Sequence, residues 1–166
     1  MGIDLSWLSG RRILVVDDDK ATCDLIVKFF QRSMPKCEIN QASNGIEALE
    51  RSNEWEPHIV FTDISMPNMD GLELLMRLHM ERPRTQVIVF TGREDQETWS
   101  QALIHGVTDY IHKPLEMQEL LLTCKRAVDR LELIEGLEKQ IVDLEESLTE
   151  RDAEVYKLQQ ELKGKN

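Results

Sequence analysis

Five short apolar runs, each followed by a stretch with apolar residues three and four positions apart, leave this chain few ways to fold. The runs are 13–16, a weaker 38–42, 59–62, 87–90 and 109–111. The intervening segments carry apolar sets such as Leu25, Ile26, Phe29 and Phe30, or Leu72, Leu75, Met76 and Leu78, which is helical spacing. Runs that are apolar throughout, instead of alternating with polar residues, suit strands covered on both faces. Regular strand–helix alternation with right-handed crossovers then gives a parallel sheet. The reading is a doubly wound α/β domain ending near Arg130. Its punctuation is supplied by "NGIEAL" at 44–49, "PNMDG" at 67–71 and "KP" at 113–114.

With 166 residues, 41% of them hydrophobic, the chain can bury one core of ordinary size and have residues to spare. No run of 18 apolar residues occurs and the first residues are too polar for a signal peptide, so a soluble, cytoplasmic chain with no membrane segment is expected. Cys23, Cys37 and Cys124 are odd in number and widely spaced, which argues against a disulfide framework or a zinc site. A formal net charge of −11 argues against nucleic acid as a partner, because that binding rests on Lys and Arg neutralising phosphates. His58, His79, His105 and His112 are scattered, and Trp7, Trp55 and Trp99 form no motif, although Trp99 in the fourth helix is placed to report on a change there.

Beyond residue 117 the helical pattern continues with no proline and a single interior glycine, Gly136, to about Lys163. Ile134, Ile141, Leu148, Val155 and Leu162 fall at heptad position a, with Leu137, Leu144 and Leu158 at d, and Arg151 takes the remaining d place. Residues 131–166 are thus read as a coiled-coil helix continuous with the fifth helix, 11–130 as the α/β domain and 1–10 as an N-terminal extension. About 30 helical residues at about 1.5 Å each would extend roughly 45 Å. Glu138, Glu145, Asp152, Glu154 and Glu161 occupy e and g positions that hold no Lys or Arg, so a parallel homodimer would form without cross-helix ion pairs and with Arg151 in its seam. A single solvated helix is the alternative, since 10 of the last 36 residues are acidic and 5 basic.

In open parallel sheets, ligands bind beyond the carboxyl ends of the strands, where strand order reverses. There the first strand runs into Asp17, Asp18 and Asp19, the third into Asp63, the fourth into Thr91 and the fifth into Lys113. Adjacent carboxylates need a counter-charge, and oxygen-only ligands suit a hard cation, Mg²⁺ above all. A metal at this rim would neutralise a phosphoryl group arriving at one carboxylate, with Lys113 pairing to its oxygens and the Thr91 hydroxyl bonding to it. Each piece has a plainer explanation: acid runs are often solvated loops, an Asp after a strand is often a helix cap, and "KP" is often only a turn. Their joint placement at one rim favours chemistry.

The stretches "ILVVDDD", "NGIEALE", "IVFTDISMPNMDGLELL", "VIVFTG" and "GVTDYIHKP" make residues 11 to about 130 resemble a receiver domain of the two-component response regulator family. The resemblance implies a flavodoxin-like (βα)5 fold with strand order 2-1-3-4-5, and Mg²⁺-dependent phosphoryl transfer from a histidine kinase or phosphotransfer protein. By position, Asp63 corresponds to the phosphoacceptor, Asp17 and Asp18 to the metal-holding pair, and the Ser65 main-chain carbonyl to a further metal ligand. Thr91 corresponds to the switch hydroxyl, Tyr110 to the switch aromatic and Lys113 to the phosphate-pairing lysine, with Asp19 standing behind the metal ligands. Ser65 and Arg93 occupy the two variable places expected to set how long the phosphoryl group survives. Gly92, in place of the usual alanine, is expected to loosen the loop after the fourth strand, while Val107 and Leu115 depart from the usual residues without touching the site.

The resulting expectation is a phosphorylation-controlled module that signals through a dimeric coiled coil to an output domain or partner. Two alternatives are a constitutively dimeric adaptor with an unused acid pocket and a haloacid-dehalogenase-type phosphatase. "DDDKAT" superficially fits the latter, but Ala21 stands where that family usually has Thr or Val.

Overall fold

The computed structural model describes residues 6–34, 36–92 and 96–163, without the side chains of residues 96–99 and 162. Arg93 therefore lies outside the described residues, as do the side chains of Trp99 and Leu162. The chain divides into two compact units, the first ending at Leu131 and the second beginning at Glu132.

In the first unit, five strands form one parallel sheet in the order β2-β1-β3-β4-β5: β1 (Arg12–Val16), β2 (Glu38–Ala42), β3 (Ile59–Asp63), β4 (Gln86–Thr91) and β5 (Asp109–His112). The helices are α1 (Lys20–Ser33), α2 (Gly45–Trp55), α3 (Gly71–Glu81), α4 (Gln96–Ile104) and α5 (Met117–Lys163). This is the expected doubly wound order, with strands up to two residues longer than the apolar runs, because backbone pairing continues past the last apolar side chain.

Alternate strand residues face opposite layers. Ile13, Val15, Phe61, Ile88, Phe90 and Ile111 pack against Ile26 and Phe30 of α1 and against Leu120, Cys124, Ala127, Val128 and Leu131 of α5. Phe30, Phe61 and Phe90 form a row with ring centroids 5.9 Å apart at each step. On the other face Leu14, Val16, Val60, Val87 and Val89 pack against Ala48 of α2, Leu74, Leu75 and Leu78 of α3 and Ala102 of α4. β3 and β4 are buried along their whole length, whereas β2 at the sheet edge is buried only at Ala42, which accounts for its weak apolar signal.

Trp7 and Leu8, within the segment expected as an extension, contribute to this core. Ser6–Leu8 makes one 3-10 turn that buries Leu8 completely, and Lys125 of α5 sits 5.6 Å from the centre of the Trp7 ring. One turn is too short to show any periodicity.

Caps fix the helix starts at the rim. Asp19 accepts from the Ala21 N–H, Asn44 from the Glu47 N–H and Asp70 from the Glu73 N–H. At α2 the Glu47 side chain also reaches back past the cap, accepting from both the N–H (2.8 Å) and the hydroxyl (2.7 Å) of Ser43 while pairing with Arg51. The loop after Asp63 is closed by the Gly71 N–H donating to the Ile64 carbonyl at 2.9 Å. A Cβ at Gly71 would overlap the Asp63 carbonyl oxygen and lie 2.9 Å from Ile64 Cα, so only glycine permits α3 to start this close to the end of β3.

In the second unit α5 continues as an uninterrupted helix. Leu137, Ile141, Leu144, Leu148, Val155 and Leu158 are 51–64% exposed there, so the heptad seam is open in the single chain. Among the described residues no helix is long and apolar enough to cross a membrane.

Gly71→Ala should lower stability by about 1–3 kcal/mol through overpacking against backbone, measured by urea unfolding. Glu47→Ala should cost about 1 kcal/mol at pH 7. The Ser43 N–H, then its hydroxyl and Arg51, hold the Glu47 carboxyl down to about 2 from its ordinary 4.5. Its contribution is therefore full above pH 4.5 and disappears as pH falls toward 2, so the wild-type and variant stabilities should converge over that range.

Candidate acidic site at the strand ends

β1 ends at Val16, and the next residue, Asp17, is tied to β2 by its N–H, which donates to the Ala42 carbonyl at 3.2 Å. The residue is only 2% exposed, and one carboxylate oxygen accepts the Asp19 N–H at 2.9 Å. Asp63 is the last residue of β3, next to β1 in the sheet, and is 9% exposed. Asp18 is exposed and completes a group of three carboxylates whose oxygens can be chosen to lie within 4.8 Å of one another. The sequence-predicted acids thus come together.

Lys113 follows β5 and opens a cis Lys113–Pro114 peptide. Its backbone N–H donates to the Thr91 carbonyl at 2.9 Å, which aims the side chain across the rim. Nζ lies 2.9 Å from Asp63 Oδ1 and 3.4 Å from Asp17 Oδ2. The single ammonium bridges two of the three acids.

The electrostatics reflect that crowding. Burial is the largest influence on Asp17 and raises its pKa above the ordinary value, with the Asp63 charge adding to it, against the Asp19 N–H and Lys113. For Lys113, burial pulls the pKa down, but the hydrogen bond and charge of Asp63, then the charge of Asp17, outweigh it and leave the group raised. The ammonium therefore stays protonated as the charge partner of the acids. Asp19, by contrast, is held low by the Thr22 hydroxyl and the Ala21 N–H. Its carboxylate serves the start of α1, and its link to the acid group is the backbone N–H bound to Asp17.

Thr91 ends β4, buried, with its hydroxyl donating to the Gly92 carbonyl at 2.8 Å. Tyr110 is half-buried on β5, two residues from His112 and edge-to-face with it at 5.0 Å. Ser65 is exposed in the loop after Asp63. A cavity of about 220 Å³ adjoins the acids and is lined by Asp17, Asp18, Lys20, Gln41, Glu47 and Arg51. An all-oxygen donor set, partly buried and short of positive charge, fits a hard divalent cation. Cys23, Cys37 and Cys124 are free thiols; burial pushes those of Cys23 and Cys37 up to about 11, and that of Cys124 higher still, which disfavours the thiolate form.

Two features of the site carry little sequence signal. The Gly71 contact depends on loop closure, and the Asp19 N–H contact depends on how the chain turns after β1; each is visible in sequence only as a common residue type in a loop.

The sequence matches the response regulator receiver domain family over residues 13–125. It is 32% identical over 138 residues to the uncharacterized transcriptional regulatory protein YesN of Bacillus subtilis, covering 82% of this chain and 38% of that protein. It is 36% identical over 104 residues to protein-glutamate methylesterase/protein-glutamine glutaminase 3 of Vibrio cholerae, covering 62% of this chain and 29% of that protein. The chain thus spans well under half the length of either relative. Among solved structures, the CheY-like response regulator receiver domain protein of Methanospirillum hungatei superposes with a TM-score of 0.69 at 32% identity, over 74% of this chain and 96% of that one. The fold, the strand order and the matched residues agree: the chain belongs to the response regulator receiver domain family of two-component systems.

Proposed function

We propose that this chain accepts a phosphoryl group on Asp63 from a histidine kinase or phosphotransfer protein and passes the changed state along α5. The observation that carries this reading is the meeting of Asp17, Asp18 and Asp63 within 4.8 Å, with Lys113 Nζ 2.9 Å from Asp63. In the transfer an Asp63 carboxylate oxygen attacks phosphorus as the bond from phosphorus to the donor imidazole breaks. The electron pair stays on the imidazole nitrogen, which takes up a proton.

Receiver domains generally bind Mg²⁺ at an acidic pocket. Asp17, Asp18 and Asp63, with the Ser65 main-chain carbonyl, would hold it here, and when bound it supplies positive charge beside the incoming phosphoryl oxygens. Lys113 then exchanges a carboxylate partner for a phosphoryl oxygen without leaving the rim. The Thr91 hydroxyl, now donating to the Gly92 carbonyl, turns to the acyl phosphate, and the space behind it admits the Tyr110 ring. Asp19 supports the arrangement through its backbone bond to Asp17.

The output we propose is a parallel homodimeric coiled coil formed by residues 131–166, leading to an output domain or partner. Support comes from the open seam of Leu137, Ile141, Leu144, Leu148, Val155 and Leu158, an apolar stripe that a second copy would cover. The acidic e and g positions and Arg151 at d would keep that association weak enough to respond to the receiver.

Asp63→Asn should abolish uptake of one phosphoryl mass from acetyl phosphate with Mg²⁺, read by intact-protein mass spectrometry; an undiminished mass shift would place the acceptor elsewhere. Arg151→Leu should tighten the dimer by about tenfold in sedimentation equilibrium, because an ionised group leaves an apolar layer. A weaker dimer would refute the heptad register.

A further inference from the structure

A receiver that signals through α5 needs a connection from the strand bearing Tyr110 to that helix. The apolar contacts of α5 with the sheet run through Leu120, Cys124, Ala127, Val128 and Leu131. Such contacts hold the helix in place but are non-directional. A polar contact with direction is different, and one lies beside them.

Asp109 is the first residue of β5, paired in register with Ile88 of β4, and its carboxylate is divided between two partners. One oxygen accepts the backbone N–H of Tyr110 at 2.9 Å. The other accepts the guanidinium of Arg126, through both Nε and Nη2, from α5. The carboxylate is largely enclosed, at 15% exposure, whereas Arg126 is 51% exposed, so the acid is fixed by the strand and the arginine can re-aim. Arg126 lies five residues before Leu131, the last residue of the first unit. On the neighbouring position Lys125 pairs with Asp129 and lies over Trp7, so the base of α5 is also held from the N-terminal turn.

We propose that the Asp109–Arg126 pair is the latch that couples the position of Tyr110 to α5. This rests on the reading of Asp63 as the acceptor and of Tyr110 as a residue that moves. When the Tyr110 backbone shifts, the Asp109 carboxylate bonded to it shifts as well, and the guanidinium on α5 must follow or let go. A half-exposed ion pair is a weak tie, which suits a contact that is remade between two states. By linkage, an α5 held in one arrangement would in turn bias Tyr110 and the acid site. Asp109 and Arg126 are positioning residues: neither touches the acid group.

The test uses the full chain with Mg²⁺, with and without beryllofluoride, whose fluoride-bearing beryllium stands in for the phosphoryl group on Asp63. Beryllofluoride binding is followed by fluorine NMR, and amide exchange is measured by mass spectrometry across residues 117–131. The wild type should bind beryllofluoride and change its exchange in that segment. Arg126→Gln, a surface change unlike one in the core, should bind within about twofold of wild type yet show the exchange change reduced by about threefold or more, since coupling and not binding is removed. Asp109→Asn should behave alike, and Arg126→Lys should restore part of the response by keeping the charge. An Arg126→Gln response equal to wild type, or a wild type that binds beryllofluoride with no change over 117–131, overturns the latch. Failure of the wild type to bind at all instead removes the acceptor reading, and the latch with it.

Discussion

Three carboxylates at the end of a parallel sheet repel one another, and the arrangement of the rim follows from containing that repulsion. Two unit charges about 4 Å apart cost on the order of 4 kcal/mol at the effective dielectric of a protein surface. The molecule offsets this with the Lys113 ammonium, which reaches two of the acids, and with the Asp19 N–H on Asp17. These groups do not remove the excess negative charge, since three carboxylates face one ammonium; burial, and after it the Asp63 charge, leave the Asp17 pKa raised. A site balanced in this way is compatible with a divalent cation, whose charge would let it receive further negative charge. That combination suits a carboxylate that must take up a phosphoryl group.

The scaffold around the acids is stiff where the chemistry is proposed and more open at its edges. β1 and β3 are central strands; Asp17 is tied to β2 through its N–H on the Ala42 carbonyl, and Asp63 pairs in register with Phe90 of β4. The close start of α3 at Gly71 fixes the loop after Asp63 from below. β5 is an edge strand, half-buried at Tyr110, and it bears the Asp109 contact to α5. A change beginning at Asp63 would thus meet a rigid centre and find freedom at β5, the direction in which α5 lies.

Much of this was legible in the sequence because it depends on local patterns. Apolar runs such as "ILVV" and "VIVF" marked strands, and the positions of Asp17, Asp63, Thr91 and Lys113 after them placed those residues at one rim. What stayed hidden depends on contacts between distant or aperiodic residues. Leu8 enters the core from a single 3-10 turn, Asp109 meets Arg126 across 17 residues, and Gly71 is required by a backbone approach that only the closed loop creates. Asp19 was legible as an acid beside the pair, but its carboxylate caps α1, and competition between capping and cation binding is decided by the direction of the turn.

Phosphoryl uptake at Asp63 requires the acid group to act as a cation site, and calorimetric titration of Mg²⁺ into the wild type and Asp18→Ala measures that property. The exposed Asp18 can be removed without opening the core, so a change in affinity would report on the site and not on folding. Saturable binding of one ion per chain, weakened by about tenfold or more in Asp18→Ala, is the predicted result. Undiminished affinity in the variant, or no binding to the wild type, would contradict it.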